Sequence, residues 1–274
     1  MSSTRSDTEV VSAPVRDAAT VVLVRDAAEG IEVFLQRRVK QMAFAGGMTV
    51  FPGGGVDKRD ADADLAWTGP QAAWWAEQFA SDDETAQALV CAAVRETFEE
   101  CGVLLATDRD GAFADPTGLA DDRRRLVEKS LSFAEFLTER GLTLRADLLR
   151  PLAHWITPVN EKRRYDTRFF LAAMPEGQHA DADTTEAEVA QWANAAAAIE
   201  SWAAGKHFLM PPTWSQLNYV SGFATIDELL AAERAIEPVL PDVTPGAGLA
   251  GLGFPGSDEY FRTLGDQTPP EITL

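Results

Sequence analysis

The chain has 274 residues, 46% of them hydrophobic, with 43 acidic against 24 basic side chains and a formal net charge of -19. This is enough to bury a sizeable core, and the acidic balance argues against non-specific binding to nucleic acid or to an anionic membrane surface. No apolar run reaches the roughly 18 residues of a membrane span, and the opening MSSTRSDTEVVSAPVRD lacks an export signal's apolar region, so a cytoplasmic location is expected.

Residues 1–17 are polar and read as a disordered tail. ATVVLVRD and GIEVFLQRR, parted by AAEG, predict two strands of a hairpin. MTVFPGGGVD predicts a third short strand that ends in Gly53, Gly54 and Gly55, where the backbone can turn sharply. Residues 56–80 have no clean period and read as an inserted excursion; its Trp67, Trp74 and Trp75 either pack it onto the body or form a homodimer contact. SDDE predicts a helix over 82–101, with Ser81 as N-cap, Glu84 closing a capping box and Gly102 as the C-terminal cap.

Cys91 and Cys101 would lie about 15 Å apart on that helix, too far for a disulfide. Residues 119–141 read as helical, LLRPLAHWITP and TRFFLAAMP as strands, TTEAEVAQWANAAAAIESWAAG as helical again, and the last forty residues as mostly irregular. No repeat or linker divides the chain.

Within AVRETFEECGVLL, Glu96, Glu99 and Glu100 fall at i, i+3 and i+4, so a helix sets all three carboxylates on one side. Like charges at these offsets destabilise a helix by about 0.2 to 0.5 kcal/mol per pair. The cluster is either a solvated acidic face or an oxygen site for a hard divalent cation such as Mg2+ or Mn2+.

The combination of FPGG with RETFEECGV resembles the box of the Nudix hydrolases, G-x5-E-x7-R-E-U-x-E-E-x-G-U with U aliphatic. Arg95, Glu96, Glu99, Glu100, Gly102 and Val103 fall in place, with Thr97 at the first U. Gly54 precedes Arg95 by 41 positions where the box has 14, so 27 residues are inserted; the glutamate expected eight positions before the arginine reads as Gln87, with Glu84 as a substitute. The split box, RRYDTRFFLA and LMPPTWSQL together resemble the branch containing the mammalian peroxisomal coenzyme A diphosphatase. FLQRRVKQMAFAGGMTVFPGG is similar to a coenzyme A signature in which Arg38, Gly47 and FPGG match, while Gln36, Val39 and Ala43 depart from it.

This resemblance implies an α/β/α sandwich with a mixed sheet over residues 18–225, the insertion 56–80, and a helical or irregular C-terminal extension over 226–274 on the same domain. It implies hydrolysis of a nucleoside diphosphate derivative with Mg2+ or Mn2+ held by Glu96, Glu99, Glu100 and a carbonyl near Gly54. Arg95 would orient Glu99, and the general base would be a box glutamate or a remote acid, Glu186 or Glu188. Arg37 and Arg38, Gly53 and Gly54, and Arg164 and Arg168 are the candidate substrate contacts, with Lys40 and Arg163 beside them and Tyr165 and Phe169 available to stack on a base. His154, His179 and His207 show no metal spacing and receive no role. Coenzyme A or its acyl derivatives are the expected substrate; NADH or ADP-ribose, and a non-catalytic nucleotide sensor, are the alternatives.

Overall fold

Val21, Val22, Leu23 and Val24 are fully buried in succession, so β1 (Val15–Ala27) is covered on both faces of its sheet. The computed structural model describes residues 13–40, 45–61, 65–159, 161–184 and 186–265. β1 turns back at Gly30 into the antiparallel β2 (Gly30–Arg38), as the hairpin reading expects. MTVFPGGGVD gives two short strands, β3 (Thr49–Val50) on β2 and β4 (Gly53–Gly55) on β1.

The insertion has a shape that the sequence did not disclose: a 3-10 turn at Lys58–Ala61, then β5 (Trp67–Thr68) and α1 (Ala72–Phe79). Trp75 is fully buried and packs on Phe79 and Phe170, so the excursion is fastened to the body. α2 (Asp83–Cys101) follows, then β6 (Ala106–Thr107), α3 (Ala120–Val127), α4 (Phe133–Arg140) and β7 (Thr143–Arg145), with β5, β6 and β7 forming a small second sheet.

β8 (Leu149–Ile156) pairs with the antiparallel β9 (Arg164–Ala173), which runs parallel to β1. β10 (Ala187–Asn194) borders β2, and α5 (Ala195–Ala203), α6 (Pro211–Val220) and α7 (Ile226–Ala231) come next. The chain closes with β11 (Pro238–Val239) beside β8, the pair β12 (Asp242–Val243) and β13 (Leu252–Gly253), and α8 (Ser257–Leu264).

The main sheet is ordered β10-β2-β1-β9-β8-β11 and is mixed. Val21 and Leu23 pack with α1, α2 and α4, whereas Val22 and Val24 pack with α5, α6 and α8, giving the expected α/β/α sandwich. Among the described residues no helix is long and apolar enough to cross a membrane.

Four expectations need correction. β1 starts at Val15, inside the expected tail, because Val15 to Val24 pair with β9. The N-cap of α2 is Asp82, not Ser81: its carboxylate accepts the Thr85 N–H at 2.7 Å, and its charge suits the positive helix end. The helical stretch 119–141 is two helices, parted where Lys129 adopts φ 57° and Ser132 forms a capping box with Glu135. Residues 187–194 are a strand, since pairing with β2 and the packing of Trp192 on Phe34 override the helix preference of AEVAQWAN. The C-terminal extension is helical and irregular, as the resemblance implies, and its α8 buries Tyr260 and Leu264. Cys91 and Cys101 are both buried and not bonded to each other.

Candidate active site

The carboxylates of α2 are presented by a helix fixed at both ends. Asp82 caps the start, and Gly102, at φ 71°, donates its N–H to the Phe98 carbonyl at the end. Across from them lies β4, where the Gly53 N–H donates to Glu100 Oε2 at 3.0 Å. A Cβ on Gly54 would stand 2.5 Å from the Glu96 carboxylate, and one on Gly53 would stand 2.5 Å from the Ala19 carbonyl. The glycines are therefore needed for closeness: Gly54 lets β4 approach the Glu96 carboxylate, and Gly53 lets it lie close on β1. Gln36 on β2 adds a bond from Nε2 to the Glu100 carbonyl.

Arg95 is buried among acids. Nη1 donates to Glu96 at 2.7 Å and to Glu99 at 3.2 Å, and Nη2 donates to the Gly55 carbonyl at 3.0 Å. Its other edge meets Asp60 in a two-pronged pair, Nε to Oδ1 at 3.0 Å and Nη2 to Oδ2 at 2.9 Å. Asp60 is 2% exposed and sits on the 3-10 turn at the start of the insertion.

This corrects the reading of the split box. Gly54 is followed after five residues by Asp60, so the first half is complete with aspartate in the glutamate's place, and the extra residues enter after it. Gln87 and Glu84 belong to the N-terminal turns of α2; Glu84 is exposed and outside the cleft. Sequence reasoning missed Asp60 because it counted back from Arg95; counting forward from Gly54 finds it.

Burial pushes Glu96 up to about 7, with Glu99 adding to the rise and Arg95 opposing it. Burial likewise raises Glu99, and raises Glu100 with help from Glu96 and Glu186. The cluster carries more acid than the two guanidiniums beside it, Arg95 and Arg38, can neutralise.

A cleft of about 1460 Å³ opens over these groups, lined by Gly53, Gly54, Arg95, Glu96, Glu99, Glu100, Arg38 and Glu186. Arg38 Nη2 meets Glu186 Oε2 at 2.9 Å, which brings that remote acid to the cluster. Glu188 does not reach it; it faces Arg37 at 3.6 Å, and neither lines the cleft. Arg37 alternates with Arg38 along β2 and so points away.

Arg164 and Arg168 also point away, by the same alternation on β9: Tyr165, Thr167 and Phe169 line the cleft, while Arg164 donates to the Thr157 carbonyl and Arg168 pairs with Asp17 and Asp166. Arg37, Arg164 and Arg168, expected as substrate contacts, are thus not among the residues lining the cleft. Arg16, Arg123 and Lys129 line the cleft without having been singled out. Ala43 lies outside the described residues.

Among the described residues no three His, Cys, Asp or Glu side chains already converge at ligand distances. Glu96 and Glu99 are turned to Arg95, and Glu100 to Gly53. The donors are nonetheless all oxygen and carry surplus charge with raised proton affinity, which fits a hard divalent cation.

A family model described as the NUDT19 Nudix domain matches residues 77–220. The human acyl-coenzyme A diphosphatase NUDT19 is 29% identical over an alignment covering 86% of this chain and 74% of that protein. The putative nudix hydrolase 7 of Caenorhabditis elegans is 27% identical, covering 93% of this chain and 77% of that one. The crystal structure of a Nudix hydrolase from Alicyclobacillus acidocaldarius is 32% identical, with a TM-score of 0.70 over 81% of this chain and 98% of that chain.

Proposed function

Since the chain belongs to the Nudix hydrolase family and is an enzyme acting on pyrophosphate bonds, we propose that it hydrolyses coenzyme A or acyl-coenzyme A to 3′,5′-ADP and (acyl-)phosphopantetheine, with Mg2+ or Mn2+ as cofactor. The observation that carries the reading is the approach of Gly53 and Gly54 to Glu96 and Glu100, at the floor of a cleft that also contains Arg38. The coenzyme A assignment draws support from the name of the human relative and from Arg38, the retained arginine of the signature.

Glu96, Glu99 and Glu100, with a carbonyl of the Gly53–Gly55 strand, would hold the cation. When bound, it lowers the pKa of the attacking water and neutralises charge on the phosphates. Arg95, locked by Asp60, keeps Glu96 and Glu99 on one side of the cleft; Gly53 fixes Glu100. Glu186 is the acid outside the helix that accepts the water's proton, and Arg38 holds it within the cleft. Arg38 also offers its guanidinium to a substrate phosphate.

The test is product analysis with coenzyme A, its dephosphorylated form, acyl-coenzyme A, NADH and ADP-ribose, each with Mg2+ and Mn2+. Release of 3′,5′-ADP is expected. Cleavage of NADH or ADP-ribose with coenzyme A untouched would overturn the substrate and leave the pyrophosphate chemistry standing.

A further inference from the structure

The family match ends at residue 220, but the cleft does not: Pro241 and Leu252, from the C-terminal extension, line it together with the carboxylates. These two residues are on a fastened segment. Pro238 and Val239 pair with His154 and Trp155 of β8, and Leu252 pairs with Val243. Phe254 packs its ring on Trp155 at 5.6 Å. Behind them Tyr260 of α8 is fully buried, stacks on Trp202 at 4.8 Å and donates its hydroxyl to the Leu209 carbonyl at 2.8 Å.

The two arms of the cleft differ in chemistry. Beyond the C-terminal end of α2 the lining is charged: Arg123, Arg124 and Lys129 stand among Asp115, Asp121, Glu128, Asp181 and Asp183, and Arg123 pairs with Asp181 at 2.7 Å. Arg123 donates Nε to the Glu99 carbonyl at 3.0 Å, and its Nη2 is buried with no partner among the described residues. Lys129 is close enough for its charge to act on Glu99. On the other side of the sheet, Trp155, Ile156, Met210, Pro211, Pro241 and Leu252 form a wall without a charge. Ile156, Met210 and Leu252 are only half-buried, and Leu240, next to Pro241, is 47% exposed. Apolar area is thus left open beside the reacting centre.

We propose that the segment 238–254 forms an apolar arm of the active site that binds the aliphatic chain of an acylated substrate, with Leu252 setting the preference for chain length. The proposal rests on the coenzyme A reading above. A substrate cleaved at the pyrophosphate has one anionic, nucleotide half and one longer half that is neutral at its far end. The apolar arm suits the second and not the first, because each methylene removed from water adds favourable transfer energy whereas a phosphate there would be desolvated unpaired.

The test compares kcat/KM for coenzyme A and for saturated acyl-coenzyme A esters of increasing length, in the wild type, Leu252→Asp and Leu252→Ala. A second measurement, thermal shift of the wild type and both variants with acyl-pantetheines lacking the nucleotide, does not depend on turnover. The wild type should gain about two- to fourfold in kcat/KM per added methylene until the arm is filled. The ratio of acyl-ester to coenzyme A activity should fall at least about tenfold in Leu252→Asp and less in Leu252→Ala, which also serves if the aspartate variant fails to fold. The thermal shift should likewise grow with chain length and shrink in the variants.

A flat length profile in a wild type that cleaves coenzyme A, or an equal loss on every substrate in the variants, would overturn the arm. Equal loss would mean that this wall holds the nucleotide. If no coenzyme A species were cleaved, the substrate reading would fail, and the thermal shift alone would decide whether the arm binds acyl chains.

Discussion

Arg95 and Arg168 are both buried and both bonded to carboxylates, yet only Arg95 lines the cleft. Around Arg168 the carboxylates are held by donors: Asp17 and Asp166 share Arg168, and His154 contacts Asp166. Burial would raise Asp166, but His154 and Arg168 hold it below its ordinary value. Around Arg95 the acids outnumber the base, and Glu96, Glu99 and Glu100 are all raised. A network that holds its carboxylate low is a fastening between strands; an acid cluster whose carboxylates are raised is a site awaiting positive charge. Sequence alone presents both as arginines beside acids.

The sharpest test of this contrast is Glu99→Gln. It removes one charge from the surplus and no core atom, so activity should fall by about 100-fold or more while the melting temperature holds or rises slightly. Wild-type turnover in the presence of metal would erase the distinction between the two networks. Asp60→Ala should come next. It leaves Arg95 short of a buried partner, at about 3 kcal/mol of stability, and loosens Glu96 and Glu99 for a loss of about 10- to 100-fold in kcat. Denaturant unfolding and steady-state kinetics at saturating metal read the two effects separately.

Arg168→Met probes the other side. Asp17 and Asp166 would lose their shared partner, with a stability loss of about 3 kcal/mol. Activity per folded molecule should stay within about twofold, because Arg168 itself does not line the cleft. A collapse of kcat with unchanged stability would make Arg168 a substrate contact after all.

What could be read in the sequence depended on how local its cause was. The Gly102 cap, the one-sided glutamates and the hairpin of β1 and β2 follow from residues a few positions apart. Asp60 meets Arg95 across the insertion, and its signal was a spacing counted from the other end. β10 was hidden because its alanines and glutamates favour helix until β2 supplies a partner. The period of β9 separates Tyr165 and Phe169 from Arg164 and Arg168, but which set faces the cleft is decided by the layers on either side. Pro241 and Leu252 carry no local mark, since their place depends on β11 finding β8.

The acid surplus also sets a pH dependence with a defined sign. Glu96 is raised from an ordinary 4.5 to about 7, so the folded metal-free protein holds that proton more tightly than the unfolded chain does. Its contribution to stability is full below about pH 4.5 and is lost as pH rises through about 7, a term on the order of 3 kcal/mol. In chelator, the melting temperature of the wild type should therefore fall from pH 5 to pH 8 more than that of Glu96→Gln. Added Mn2+ needs the deprotonated carboxylates, so its stabilising shift should grow over the same interval. Parallel pH curves for wild type and Glu96→Gln would show that this proton is not held by the fold.

The smallest effect concerns Arg38, because this arginine is already engaged. Its Nη2 meets Glu186 at 2.9 Å, and a substrate phosphate must share or displace that contact. Coenzyme A carries a 3′-phosphate that its dephosphorylated form lacks, and the second arginine of the signature is replaced by Ala43. One shared guanidinium discriminates less than two acting together. The wild type should then prefer coenzyme A over the dephosphorylated form by less than about tenfold in kcat/KM, and Arg38→Ala should lose most of that preference. The substitution also releases Glu186, so kcat will drop on both substrates; the ratio between them carries the test. An unchanged ratio would assign the 3′-phosphate to another cation and leave Arg38 the holder of Glu186 alone, whereas a ratio falling toward one would give it both tasks.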